Sequence, residues 1–345
     1  VVPLLVSRYS PAMQRIALIL ALFILLMNGR HPGLASAVAA GALSIEAHPL
    51  PLESAAGEAD AFGPLRLTGA WHLTSEQEVF GGVSALMASD GDLVGLSDSG
   101  ELFALRLPGQ AGERTVRSLP RVLAEQDWPR WRMDSESMTR DPVSGRLWVG
   151  FEHLQRICRY APHFRALEGC VSPPEMQDWP VTGSVESLVR FGDGRFLAIA
   201  EMAVDRTGAF QVLLWQGDPV DRVTPPPVRL GYRAPAGYRP TDALWLGGDR
   251  LLVLNRRLTL AHGFTARLSL VRLPPLREGA VLRGREIASF VPPGLADNFE
   301  ALALGHEQGR PVLWMASDDN RFFFQRTLLL RFALPLDWVS DTPAP

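Results

Sequence analysis

The sequence predicts an all-β protein: a single β-propeller of six blades, closed by strands from both ends of the chain. Three observations predict it. From Leu65 onward, short apolar runs are separated by Gly, Asp and Pro turn signals, and no long stretch keeps a helical period. A unit of polar residue, strand, turn, strand, polar residue recurs five times. Its length, about fifty residues, fits a blade of about four strands.

The first element in the chain is a targeting signal. Arg15 precedes an unbroken apolar run, residues 16–27, and a small-residue stretch follows at residues 34–40. A basic flank, about a dozen apolar residues and an A-x-A-like site predict a cleaved secretory signal; an uncleaved anchor is the alternative. The run falls short of the roughly twenty residues of a membrane span. We expect residues 1–44 to be signal and flank, 45–64 a lead-in, 65–338 the propeller and 339–345 a tail. The expected location is periplasmic or secreted, with no membrane association after cleavage.

The five units follow. Ser84-Ala85-Leu86, Glu136-Ser137-Met138, Glu186-Ser187-Leu188, Asp242-Ala243-Leu244 and Glu300-Ala301-Leu302 each join a polar residue, a small residue and Leu or Met. Their first positions are 52, 50, 56 and 58 residues apart. After a turn-rich segment comes a second apolar run, at 93–96, 147–150, 196–199, 251–254 and 312–315. Another polar position closes each unit: Asp98, Glu152, Glu201, Asn255 and Asp318. Residues 65–74 and 328–336 are expected to assemble a sixth blade, because ring closure removes exposed sheet edges. The proline-rich stretch 225–240 suggests a long loop between the third and fourth units. Paired sandwiches or a solenoid are the competing architectures; the regular spacing favours the propeller.

Two cysteines lie in the second unit. Cys158 and Cys170 flank Pro162 and Gly169, where a hairpin would bring them together. An oxidising compartment favours a disulfide between them over two separate buried thiols. Trp128, Trp131 and Trp179 are expected to pack between blades, because indole burial is large.

Composition excludes several functions. The net charge of −3 leaves no basic field for a polyanion, so nucleic acid is not an expected partner. All fixed cations are arginines, which suggests compositional bias rather than recognition chemistry. Seven scattered histidines form no H-E-x-x-H or H-x-H pair, which argues against zinc. No G-x-S-x-G elbow, Walker loop or G-x-G-x-x-G is present.

The recurring acids are the remaining chemistry. Equivalent positions in every blade ring one axis, so Asp98, Glu136, Glu152, Glu186, Glu201, Asp242, Glu300 and Asp318 are expected to converge at one channel mouth. Crowded carboxylates raise one another's pKa and are relieved by a metal or an arginine. Hard oxygen donors suit calcium or magnesium. The alternative is that these acids cap strand ends and staple blades together.

Several of these segments resemble the phytase-like propeller family, described as having esterase-like activity. They are Phe80-Gly81-Gly82-Val83-Ser84 with Leu96-Ser97-Asp98-Ser99-Gly100, Asp134-Ser135-Glu136-Ser137-Met138 with Gly150-Phe151-Glu152, and Val185-Glu186-Ser187-Leu188 with Ala200-Glu201. Asn298-Phe299-Glu300-Ala301-Leu302 with Ser317-Asp318-Asp319-Asn320 completes the set. The resemblance covers about residues 65–335. It departs in the fourth unit, where Asn255-Arg256-Arg257 stands in place of the family's common Glu-Arg. It implies an exported hydrolase of a phosphate or carboxylic ester, with calcium as cofactor and a small-molecule substrate.

The residue assignments follow. Glu136, Glu186, Glu300 and Asp318 are the candidate catalytic acids. Asp98, Glu152, Glu201, Asp242 and Asp319 are candidate metal ligands. Arg256, Arg257 and Arg326 are candidates to orient an anionic substrate. A monomer is expected, and a non-catalytic ligand- or protein-binding propeller is the alternative function.

Overall fold

A computed structural model describes residues 40–52, 61–89, 92–105, 114–122, 133–322 and 324–339. Arg15, the apolar run after it, Trp128 and Trp131 lie outside the described residues.

Among the described residues, β1 (Gly41–Ala42), β2 (Glu46–Pro49) and β3 (Arg66–Thr74) precede the first unit. The first blade is β4 (Val83–Ser89), β5 (Asp92–Ser97), β6 (Glu101–Leu105) and β7 (Thr115–Ser118). The second is β8 (Ser135–Arg140), β9 (Leu147–Phe151), β10 (Arg156–Tyr160) and β11 (Leu167–Val171). The third is β12 (Val185–Arg190), β13 (Phe196–Val204), β14 (Phe210–Trp215) and β15 (Val228–Arg233). The fourth is β16 (Arg239–Gly247), β17 (Arg250–Thr259), β18 (Gly263–Arg272) and β19 (Val281–Phe290). The fifth is β20 (Phe299–Glu307), β21 (Arg310–Ser317) and β22 (Thr327–Ala333), completed by β3.

Each blade is an antiparallel meander. Among the described residues, their first strands touch in the order β4, β8, β12, β16, β20 and back to β4, which closes a ring around a channel. The segments expected to form a sixth blade contribute β3 and β22 instead. These pair with each other, Leu330 opposite Ala70, and complete the fifth blade. The proline-rich stretch is likewise not all loop: residues 228–233 are β15, the outer strand of the third blade. β15 also pairs in parallel with β19, joining the outer edges of the third and fourth blades. The residues before β3 carry the outermost strands of two blades: β1, within the expected signal and flank, pairs with β7, and β2, in the lead-in, pairs with β3.

The core divides in the same way. Five apolar clusters each fill one gap between neighbouring blades; Leu197, Ile199 and Val212 of the third, for example, meet Leu251 and Val253 of the fourth. Both faces of a blade are therefore buried. This explains why the second strands show continuous apolar runs such as Leu251-Leu252-Val253-Leu254 rather than strict alternation. Trp179 belongs to the cluster between the second and third blades, and its indole N–H donates to Gln211 Oε1 at 3.1 Å. Cys158 and Cys170 are register partners on β10 and β11, joined by a disulfide.

Candidate functional site

A β-bulge recurs near the start of every inner strand. The register shifts between Val83 and Ala85, Ser135 and Ser137, Val185 and Ser187, Pro240 and Asp242, and Phe299 and Ala301. The extra residues are Ser84, Glu136, Glu186, Thr241 and Glu300. A bulge re-aims its side chain, and a repeated bulge does so once per blade. The second strands supply the next level. Ser97, Phe151, Ala200, Asn255 and Ser317 pair with the residue before each bulge, so the positions that follow are Asp98, Glu152, Glu201, Arg256 and Asp318. In four blades the backbone N–H of this acid donates to a carbonyl at the head of the same inner strand, as Glu152 does to Asp134 at 2.8 Å.

The fourth blade therefore differs from its sequence alignment by one residue at each level. Thr241, not Asp242, is the bulge residue, and Arg256, not Asn255, faces the acids. Asp242 is not brought to the acid ring. Its two carboxylate oxygens accept the backbone N–H groups of Ala243 at 2.7 Å and of Leu302 at 2.6 Å, which ties the fourth blade to the fifth. Asn255 is fully buried among Tyr232 Oη, Ser269 Oγ and backbone carbonyls. Thr241 hydroxyl donates to the Phe299 carbonyl, just as Ser84 hydroxyl donates to that of Ser135.

Arg256 carries the counter-charge. Its Nη1 donates to Glu300 Oε1 and, at 2.6 Å, to Asn298 Oδ1, while Nη2 donates to Glu201 Oε1 at 2.6 Å. Burial alone would lower its pKa, but Glu300, Glu201 and Glu186 carry it above the ordinary arginine value.

Away from Arg256 the acids crowd one another. Ligand oxygens of Asp134, Glu136 and Glu152 all lie within 4.8 Å of one another. Burial, reinforced by the Asp134 and Glu201 charges, pushes Glu152 up to about 10. Burial, with Asp134, Glu186 and Glu152 close by, also pushes Glu136 well above the carboxylate range. Glu186 and Asp318 rise for the same first cause. Glu300 rises through burial but is held back by Arg256.

The first and fifth blades meet through Asp98, Asp318 and Asp319. Asp319 accepts the backbone N–H groups of Gly82 and Arg321, each at 2.9 Å, and the Thr327 hydroxyl at 2.9 Å. Gly82 sits at φ +64°, and a Cβ there would come within 2.6 Å of Asp98 Oδ1, so only glycine permits this approach. Asp319 thus acts as a blade staple, while Asp98 lies 3.8 Å from Arg321.

The other candidate arginines stand apart from Arg256. Arg257 stacks 4.6 Å above the Tyr238 ring. Arg326 donates through Nε to Asp297 at 3.1 Å and remains 42% exposed. Asp134 was absent from the expected ligands although it lies two residues before Glu136. Its counterparts at the heads of the other inner strands are Gly82, Ser184, Arg239 and Asn298, so no repeat marks it.

These features define a closed β-propeller with a buried acid ring at one channel mouth. The phytase-like family, described by the esterase-like activity of phytase, matches residues 78–321, and the chain belongs to this family. No curated protein matches the chain. Among solved structures, it is similar to the major allergen of Malassezia sympodialis (11% identity, 79% of this chain and 89% of that one, TM-score 0.42). It is also similar to a luciferin-regenerating enzyme (12%, 88% and 95%, TM-score 0.42). A β-propeller domain from Myceliophteria thermophila shares 10% identity over 84% of this chain and 100% of its own (TM-score 0.35).

Proposed function

We propose that the protein is an exported hydrolase of phosphate or carboxylic esters whose acid ring holds a divalent cation. One observation carries the reading: three carboxylates, Asp134, Glu136 and Glu152, share a space of cation size. With no cation they are too close for all to ionise, as the raised pKa of Glu152 records. An all-oxygen donor set of this kind fits calcium. Asp134, Glu136 and Glu152 would hold the ion, with Glu201 and Glu186 facing it from the third blade. A bound cation supplies charge neutralisation at the ester oxygen and a water of lowered pKa.

The chain's own residues do the rest. Arg256 pairs with Glu201 and Glu300 and fixes both side chains. Glu186, with its raised pKa, is suited to hold a proton near neutral pH and deliver it to a leaving oxygen. Arg326, whose side chain is more exposed than that of Arg256, would orient an anionic group. Residues 15–40 support export, with the mature N-terminus expected between about Ala37 and Ser44.

The test is hydrolysis of a phosphomonoester and an acyl ester series, with and without calcium, by the wild type and Glu136→Gln. The reading requires calcium-dependent turnover that falls at least about a hundredfold in the variant. No turnover of either class, with calcium bound, would leave a non-catalytic binding propeller.

A further inference from the structure

The third blade holds a polar group at the acid ring that no contact explains. Ser184 stands at the head of the inner strand β12 and is fully buried, and its hydroxyl has no hydrogen-bond partner among the described residues. Most buried side-chain polar atoms are hydrogen-bonded, so an orphan hydroxyl beside a set of carboxylates points to a ligand.

The repeat fixes where that residue lies. The carbonyls of Gly82, Asp134, Ser184 and Asn298 accept the backbone N–H groups of Asp98, Glu152, Glu201 and Asp318 at 2.9, 2.8, 3.2 and 2.9 Å. These four residues therefore hold one position relative to the ring. Two of them show where a side chain at this position goes. Asp134 contributes its carboxylate to the space shared with Glu136 and Glu152. Asn298 Nδ2 donates to Oε1 of Glu300, the bulge acid of its own blade, at 3.0 Å. The bulge acid beside Ser184 is Glu186, whose N–H also donates to the Ser184 carbonyl at 3.1 Å. A serine side chain ends one atom sooner than asparagine, so a hydroxyl here stops short of the Glu186 carboxylate.

The position also faces the second blade. Glu201 is among the charges that raise Glu152, and Glu152 is among those that raise Glu186, so the acids flanking Ser184 confront those of the cation-sized space. A neutral hydroxyl oxygen is a fitting donor there. It serves a hard cation and its water ligands without adding to the crowded negative charge.

We propose that Ser184 is a further group of the divalent-cation site, binding the ion's coordination shell from the third blade through its hydroxyl. The inference rests on the cation reading above and adds to it a residue that is not an acid.

The test is calorimetric titration of calcium into the metal-free chain, with the melting temperature of the metal-free protein read alongside. Ser184→Ala should weaken calcium at least about fivefold, the effect of one lost hydrogen bond. It should leave the metal-free melting temperature unchanged or higher, because the hydroxyl has no protein partner to lose. A merely structural serine would lower that temperature instead. Ser187→Ala is the control. Its hydroxyl is also buried and unpaired, but its second-blade counterpart Ser137 donates across the blade interface to the Val185 carbonyl at 2.8 Å, so calcium affinity should not change. Should Ser184→Ala fail to fold, Ser184→Cys, close in volume and a weaker hydrogen-bonding group, carries the same expectation. If the wild type binds calcium, unchanged affinity in the folded Ser184 variant, an equal loss in Ser187→Ala, or a lowered metal-free melting temperature in Ser184→Ala would overturn this inference alone. No saturable calcium binding by the wild type would overturn the cation reading and this inference together.

Discussion

Arg256 Nη2 lies 2.6 Å from Glu201 Oε1, and the two residues occupy equivalent positions in neighbouring blades. Four blades place an acid at this level and the fourth places an arginine. The ring therefore contains one of its own counter-ions; on the second blade His153 pairs with Asp134, which leaves Glu136 and Glu152 the acids farthest from a counter-charge.

Removing that counter-ion should be costly. Arg256→Met leaves Glu201 and Glu300 buried without a cation, and loss of one partner from a buried ion pair costs about 3–5 kcal/mol. Urea denaturation should show this loss, and Glu201→Gln in the same chain should recover part of it. A loss below about 1 kcal/mol would mean that the acids are neutral around Arg256.

Stability should fall with rising pH in the cation-free protein. Glu152 has its folded pKa raised from 4.5 to about 10, so between these values the folded state binds more protons than the unfolded one. Its contribution is fully present below about 4.5 and is lost as pH rises toward 10. Melting temperature should accordingly drop across this window. Calcium should oppose the drop, more strongly at higher pH, and its binding should release protons measurable in buffers of different ionisation enthalpy. A cation-free melting temperature that climbs from pH 5 to 8 would contradict the assignment.

The disulfide closes a short loop in the second blade, with a sequence separation of 12 between Cys158 and Cys170. Reduction should cost roughly 2–3 kcal/mol. Thiol titration of the denatured, non-reduced protein should find no free sulfhydryl, whereas two would show that the bridge does not form.

Asp242 should separate the structural acids from those of the ring. Asp242→Ala leaves the Ala243 and Leu302 amides without their acceptor and should cost about 1–3 kcal/mol. Its calcium affinity should match the wild type in calorimetry. A tenfold weaker affinity would return Asp242 to the ligand set.

What the sequence by itself determined is the repeat: five units of a polar residue, a small residue and Leu or Met, their second apolar strands and the acids closing four of them. Each is a local pattern of side-chain chemistry, and burial of both blade faces stamps the same pattern five times. Tertiary structure decided what depends on pairing. In the fourth unit, Asp242-Ala243-Leu244 matches Glu300-Ala301-Leu302 as acid, alanine and leucine, yet the bulge falls on Thr241 and Arg256 takes the acid's place. Side chains alternate along a strand, so a shift of one residue moves Asp242 from the ring to a blade contact. How the ends meet was decided in the same way: hydrogen bonds between β3 and β22 join the two ends of the domain within one blade, a choice that neither segment's composition encodes.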